Sequence, residues 1–113
     1  VESEDRAWGS YKAHMRTRGC VFKTLTVKPG QKLSYQYHNF RSEVWCIGIG
    51  SARITKNDVT SDYKPGDTIS FAVKDKHCVE NIGTCNLIIY EMQYGTMCDE
   101  NDIVRISDIY GRA

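Results

Sequence analysis

The chain holds two prolines, and each stands in the same tripeptide, Lys-Pro-Gly, at 28–30 and at 64–66. Proline has no N–H to give to a ladder, and glycine accepts the left-handed backbone of a tight reversal. Both tripeptides therefore predict turns between extended runs. The rest of the sequence fits that partition. "VFKTLTV" (21–27), "KLSYQYH" (32–38), "EVWCIGI" (43–49), "ARIT" (52–55), "VTSDY" (59–63), "TISFA" (68–72), "HCVEN" (77–81) and "CNLIIYEMQY" (85–94) read as eight short strands divided by turn residues. Strands this short at this spacing predict an all-β sandwich or barrel. The two tripeptides lie 36 residues apart, which hints at two related β units without amounting to a repeat. The more polar tail, "CDENDIVRISDIYGRA", is expected to cross the outside of the barrel or close one mouth. A helical turn is expected near the termini.

Composition narrows the class. The 113 residues, 41% hydrophobic and 26% charged, suit one ordered domain spanning 1–113. A net charge of +1 gives no pull toward nucleic acid or membrane, and no apolar run approaches the roughly 20 residues of a membrane helix. The acidic start, "VESEDRAWGS", is no secretory signal. Five cysteines, an odd number without a C-x-x-C pair, argue against a disulfide framework and exclude a zinc ribbon. They fit free thiols in a reducing cytoplasm. Cys46, in an apolar run, is expected as a small buried hydrophobe.

One run places polar residues where a strand alternates. In "KLSYQYH", Leu33, Tyr35 and Tyr37 are expected on one face and Ser34, Gln36 and His38 on the other. A four-residue loop then returns the chain with Glu43 near Gln36 and His38, and His77 opens a later strand. An amide oxygen, a carboxylate and two imidazoles suit zinc, iron(II), cobalt or manganese, with positions left open for substrate. On residue types alone, the polar residues more often describe the wet face of a half-exposed strand, with His77 structural.

The full spacing carries a resemblance. Gly30, Gln36, His38, Glu43 and Gly50 stand as in the first cupin motif, with glutamine for its first histidine, and Gly66, His77 and Asn81 resemble the second. That glutamine is characteristic of the phosphomannose isomerases. "RAWGSY", "VKPGQKLSYQYHNFRSEVW" and "ENDIVRISDIYGR" are similar to the opening, middle and closing segments of the type II mannose-6-phosphate isomerase domain, which in many bacterial proteins follows a mannose-1-phosphate guanylyltransferase. The pattern departs at His38-Asn39-Phe40, where the family has three histidines, at Val44-Trp45 for its His-Trp, at Ala72-Val73-Lys74 for its Pro-x-Gly, and upstream, where only Lys23 remains of a basic stretch.

The resemblance implies a double-stranded β-helix, or jelly-roll barrel, holding a divalent metal (zinc first) on Gln36, His38, Glu43 and His77. It implies isomerisation of a phosphorylated sugar, mannose 6-phosphate to fructose 6-phosphate, in a cytoplasmic homodimer. Arg105 matches the arginine of the family's I-V-R segment, implicated in catalysis; a surface ion pair with Asp102 or Asp108 is the plainer reading. Lys23 could meet the phosphate and, with Glu91, is a candidate base. Glu91, in so apolar a strand, either faces a polar cavity or pairs with a cation. Ser34 shares the face of Gln36 and His38 and could bond substrate, and Arg41 could orient Glu43 or touch substrate. Trp8 and Trp45 are expected to pack, and the basic stretch around His14 to be solvated. The alternative from another class is a sugar- or nucleotide-sugar-binding cupin without turnover; an epimerase or dioxygenase is a third.

Overall fold

The computed structural model describes residues 2–111. They form eleven strands: β1 (Glu2–Arg6), β2 (Gly9–Thr17), β3 (Cys20–Val27), β4 (Tyr35–Tyr37), β5 (Arg41–Ile49), β6 (Ala52–Lys56), β7 (Val59–Tyr63), β8 (Thr68–Phe71), β9 (His77–Asn81), β10 (Leu87–Gly95) and β11 (Val104–Ser107). A six-stranded sheet runs β1-β2-β3-β10-β5-β8 and a five-stranded sheet β11-β4-β9-β6-β7, with antiparallel pairing throughout. The fold is all-β, and no helical turn occurs among the described residues. No helix is long and apolar enough to cross a membrane.

Both Lys-Pro-Gly tripeptides are type II turns. The Lys28 carbonyl accepts from Gln31 N at 3.1 Å across Gly30 (φ 76°), and the Lys64 carbonyl accepts from Asp67 N at 3.0 Å across Gly66 (φ 91°). The loop from β8 to β9 makes a similar reversal without glycine. Asp75 N donates to the Ala72 carbonyl at 3.0 Å while Lys74 takes φ 70°. A lysine thus holds the left-handed position where the family pattern has glycine, at a cost of about 1 kcal/mol.

The eight strands expected from sequence are β3 to β10. β4 is shorter than its run because Leu33 turns inward beside Ser34, and both are buried, which breaks the alternation expected of Leu33 with Tyr35 and Tyr37. Cys46 is half-buried on the outer side of β5, because Trp45 and Ile47 take the inward positions on either side of it. The five cysteines are free thiols. The tail closes one mouth of the barrel, with β11 pairing against β4.

Alternation decides what enters the barrel. Val21, Lys23, Leu25 and Val27 of β3 point in, as do Leu87, Ile89, Glu91 and Gln93 of β10 and Arg41, Glu43, Trp45 and Ile47 of β5. One end of the interior is therefore aliphatic, with Val27, Leu87, Ile89 and Ile47 meeting Ile54 and Val79 of the other sheet. The other end is polar and charged, and it faces the mouth that the tail covers.

Candidate metal centre

The polar end gathers residues from both sheets. Gln36 lies on β4 and stands opposite His77, the first residue of β9; His38 follows just after β4, and Glu43 is the third residue of β5. All four are buried and line one cavity. His38, Glu43 and His77 each offer a ligand atom within 4.8 Å of the others'. Aromatic packing fixes the His77 ring, which stacks on Phe71 at 4.4 Å and meets the edge of Trp45 at 5.5 Å.

Each imidazole is anchored from outside the cavity. His38 Nδ1 lies 2.6 Å from the Asp102 carbonyl, and His77 Nδ1 lies 3.1 Å from the Asp75 carbonyl. A carbonyl only accepts, so Nδ1 carries the proton in both rings and each Nε2 turns its lone pair inward. There they meet Glu43: His38 Nε2 is 3.2 Å from Oε2, and His77 Nε2 is 3.5 Å from Oε1. Acceptors brought this close call for a shared proton or a cation between them, and the donor set fits a divalent metal. Gln36 Nε2 donates to the Ser34 carbonyl at 3.4 Å, a bond that does not engage its amide oxygen.

The charges agree with that arrangement. Burial pushes the Glu43 carboxyl up, but its contacts with His38, His77 and Arg41 outweigh it and hold Glu43 well below the usual range. Burial holds His77 below the ordinary imidazole value, toward the neutral form a ligand needs. Arg41 Nε donates to Glu43 Oε2 at 2.9 Å, its NH2 group approaches His38 Nε2 at 3.3 Å, and its NH1 group donates to the Asp99 carbonyl at 3.0 Å.

Two further ionisable groups complete the cavity. Burial, with the Glu43 carboxylate beside it, pushes Glu91 up to about 7. Its oxygens accept from Trp45 Nε1 at 2.8 Å and Gln93 Nε2 at 2.8 Å. Burial lowers Lys23 to about 8, with Glu91 acting against the shift. The Lys23 ammonium pairs with Glu100 and lies 4.3 Å over the Tyr11 ring. Ser34 Oγ and Gln93 Oε1 are buried without a hydrogen-bond partner. Arg105, in register with Gln36 on the β4–β11 pair, lines the same cavity.

Every residue singled out from sequence for metal, substrate or catalysis lies at this cavity. Sequence reasoning missed Gln93, Asp102, Glu100 and Arg6. Gln93 carried a readable signal, because it follows Glu91 by two on one strand face; the tail residues carried none. Trp45 both packs and donates, reaching Glu43 Oε1 at 3.2 Å as well as Glu91.

The family model described as mannose-6-phosphate isomerase C-terminal matches residues 2–108. The chain belongs to that family. A mannose-1-phosphate guanylyltransferase of Salmonella typhimurium, ManC, is 36% identical over 107 residues, covering 95% of this chain and 22% of that protein. The alginate biosynthesis protein AlgA of Pseudomonas aeruginosa is likewise 36% identical over 107 residues, with 95% and 22% covered. The chain thus spans under a quarter of the length of these curated relatives. Among solved structures, the Cnp3 cupin domain of Schizosaccharomyces pombe superposes with a TM-score of 0.71 at 14% identity, covering 76% of this chain and 64% of that one. The fold of this mannose-6-phosphate isomerase C-terminal domain is a cupin barrel.

Proposed function

We propose that the domain is a metal-dependent isomerase of a phosphorylated sugar, interconverting mannose 6-phosphate and fructose 6-phosphate, with Gln36, His38, Glu43 and His77 holding the ion. The observation that carries this reading is the pair of inward Nε2 atoms facing one carboxylate, beside a carboxyl near 7 and an amine near 8. A divalent ion bound there would supply Lewis acidity toward the carbonyl and neighbouring hydroxyl of the open-chain sugar.

The remaining work falls to side chains. Glu91, poised near neutrality, takes a proton from one carbon of the sugar and returns it to the next, while the proton of the neighbouring hydroxyl passes to the former carbonyl oxygen. Its Trp45 and Gln93 partners fix both oxygens. Ser34 Oγ and Gln93 Oε1, buried without partners, bond sugar hydroxyls. Arg105 stabilises negative charge growing on the oxygen of the enediol intermediate. The phosphate takes the place of Glu100 on Lys23, an exchange of one anion for another on the same ammonium. The cavity, about 80 Å³, has the space of two or three waters at about 30 Å³ each, an ion included, so Glu100 moves for the sugar to enter.

The lost histidines at Asn39 and Phe40 do not remove a ligand from this scheme. Both residues act through backbone N–H groups, and the Phe40 side chain is half exposed. Two copies would pair through the outer face of the six-stranded sheet, and the free thiols support a cytoplasmic setting.

The test is steady-state interconversion of the two sugar phosphates by protein loaded with zinc, cobalt, manganese or iron(II), for the wild type and Arg105→Ala. Turnover that falls on the order of a hundredfold in the variant, at unchanged metal content, is the expected result. Binding of the sugar phosphate without turnover on any metal would favour the binding module instead.

A further inference from the structure

We propose that Asp102 is a positioning residue of the metal centre, clasping the His38 loop from the tail so that Nε2 stays aimed at the ion. The inference rests on the metal-dependent reading above. Asp102 is buried, 5% exposed, although it belongs to a polar tail. Its two carboxylate oxygens accept from successive backbone amides, Oδ1 from Asn39 N and Oδ2 from Phe40 N, each at 2.9 Å. Its own carbonyl accepts from His38 Nδ1 at 2.6 Å. One residue therefore binds three consecutive residues of the ligand loop, and two of those bonds are charge-assisted.

The loop needs such a partner. Residues 38–40 belong to no strand, so no ladder sets the His38 ring. From the other side, the His38 carbonyl accepts from Lys74 N at 2.8 Å, which fixes the backbone but not the imidazole. The same tail turn reaches a second ligand. Asp102 N donates to the Asp99 carbonyl at 3.0 Å, and that carbonyl also accepts from Arg41, which holds Glu43. The clasp thus touches one ligand directly and another through one side chain. Losing the carboxylate frees the loop amides, lets the tail drift, and withdraws the carbonyl that fixes the His38 tautomer.

Cobalt(II) titration with optical readout tests this on the full chain, using wild type, Asp102→Asn, Asp102→Ala and a control, Asp62→Ala. The control breaks only an exposed ion pair with Arg53. Asp102→Ala should bind cobalt about 10–100-fold more weakly, the usual cost of losing an outer partner of a ligand, with an altered d–d spectrum. Asp102→Asn keeps one acceptor oxygen and should fall between, and it carries the test if the alanine variant does not fold. The control should match the wild type. Variants with wild-type affinity and spectrum, even at a lower melting temperature, would overturn the proposal while leaving the metal centre standing. A wild type that binds no cobalt would overturn both.

Discussion

Over β3, β10 and β5, the middle of the six-stranded sheet, the two faces invert the usual pattern. On β3, β10 and β5, the inward positions carry Lys23, Glu91, Arg41 and Glu43, all buried. The outward positions of these strands and of β8 carry no charged residue at all, in a chain that is 26% charged. Phe22, Met92 and Val44 form one cross-strand row there, and Thr24, Tyr90 and Cys46 the next. Tyr90 even covers Gly48, where an added Cβ would stand 2.5 Å from its ring. Burying four ionisable groups is expensive, and leaving the outer side of four adjacent strands uncharged forgoes solubility. Neither choice serves stability. On the proposed function the inner choice serves chemistry, and we propose that the outer one serves contact with a second copy, since a neutral face can meet its own copy without like-charge repulsion.

The most severe break in this contrast is Glu43→Gln, which keeps volume and removes the carboxylate that both imidazoles face. Bound metal, measured after gel filtration, should fall by more than the roughly 10–100-fold that an outer partner costs. Retention of stoichiometric metal would show that the inner charges do not serve an ion. The adjacent outward position gives the second break. Val44→Lys should leave the barrel folded and weaken self-association by about tenfold or more, read by sedimentation, because two lysines would face each other across a twofold axis. An unchanged association state would remove this face from the interface.

A smaller effect sharpens the inner side. Lys23 has its folded pKa at about 8, below the ordinary 10.5, because burial disfavours the charged form. The folded state therefore holds this proton less tightly than the unfolded chain. The contribution of Lys23 to stability is fully present above pH 10.5 and is lost as pH falls through about 8. Urea midpoints for wild type and Lys23→Met, taken between pH 7.5 and 10.5, should show the wild type gaining on the variant as pH rises. A constant difference would mean that Lys23 titrates as an exposed amine.

The strands that could be read from sequence share a physical property: β3 to β10 lie between turn residues and alternate, or run apolar, over their length. β1 and β2 lacked it. β1 reads "ESEDR", an exposed edge whose side chains bury almost nothing, and the inward Tyr11 and Ala13 of β2 are followed by a bulge that breaks the period. Leu33 misled because alternation holds only where a ladder does, and β4 starts at Tyr35. In the site, the meeting of Gln36, His38, Glu43 and His77 in one cavity was legible because their spacing matched two short family motifs. Asp102 was not, since two of its partners are backbone amides, which any sequence supplies.

The distances along the chain that separate the site's parts set its order of assembly. His38 and Glu43 are five positions apart, His77 lies on a strand of the other motif, and the Asp102 carbonyl reaches His38 across 64 positions. Closing loops of such different length is cheap in entropy only for the first, and remote pairings wait until the sheets that carry them have met. By this ordering, a refolding chain is expected to bring His38 and Glu43 together before β9 and the tail arrive. On the proposed metal centre, full metal affinity would be a clock for closure of the barrel: an ion would be held tightly only once both halves of the chain and the tail have found one another.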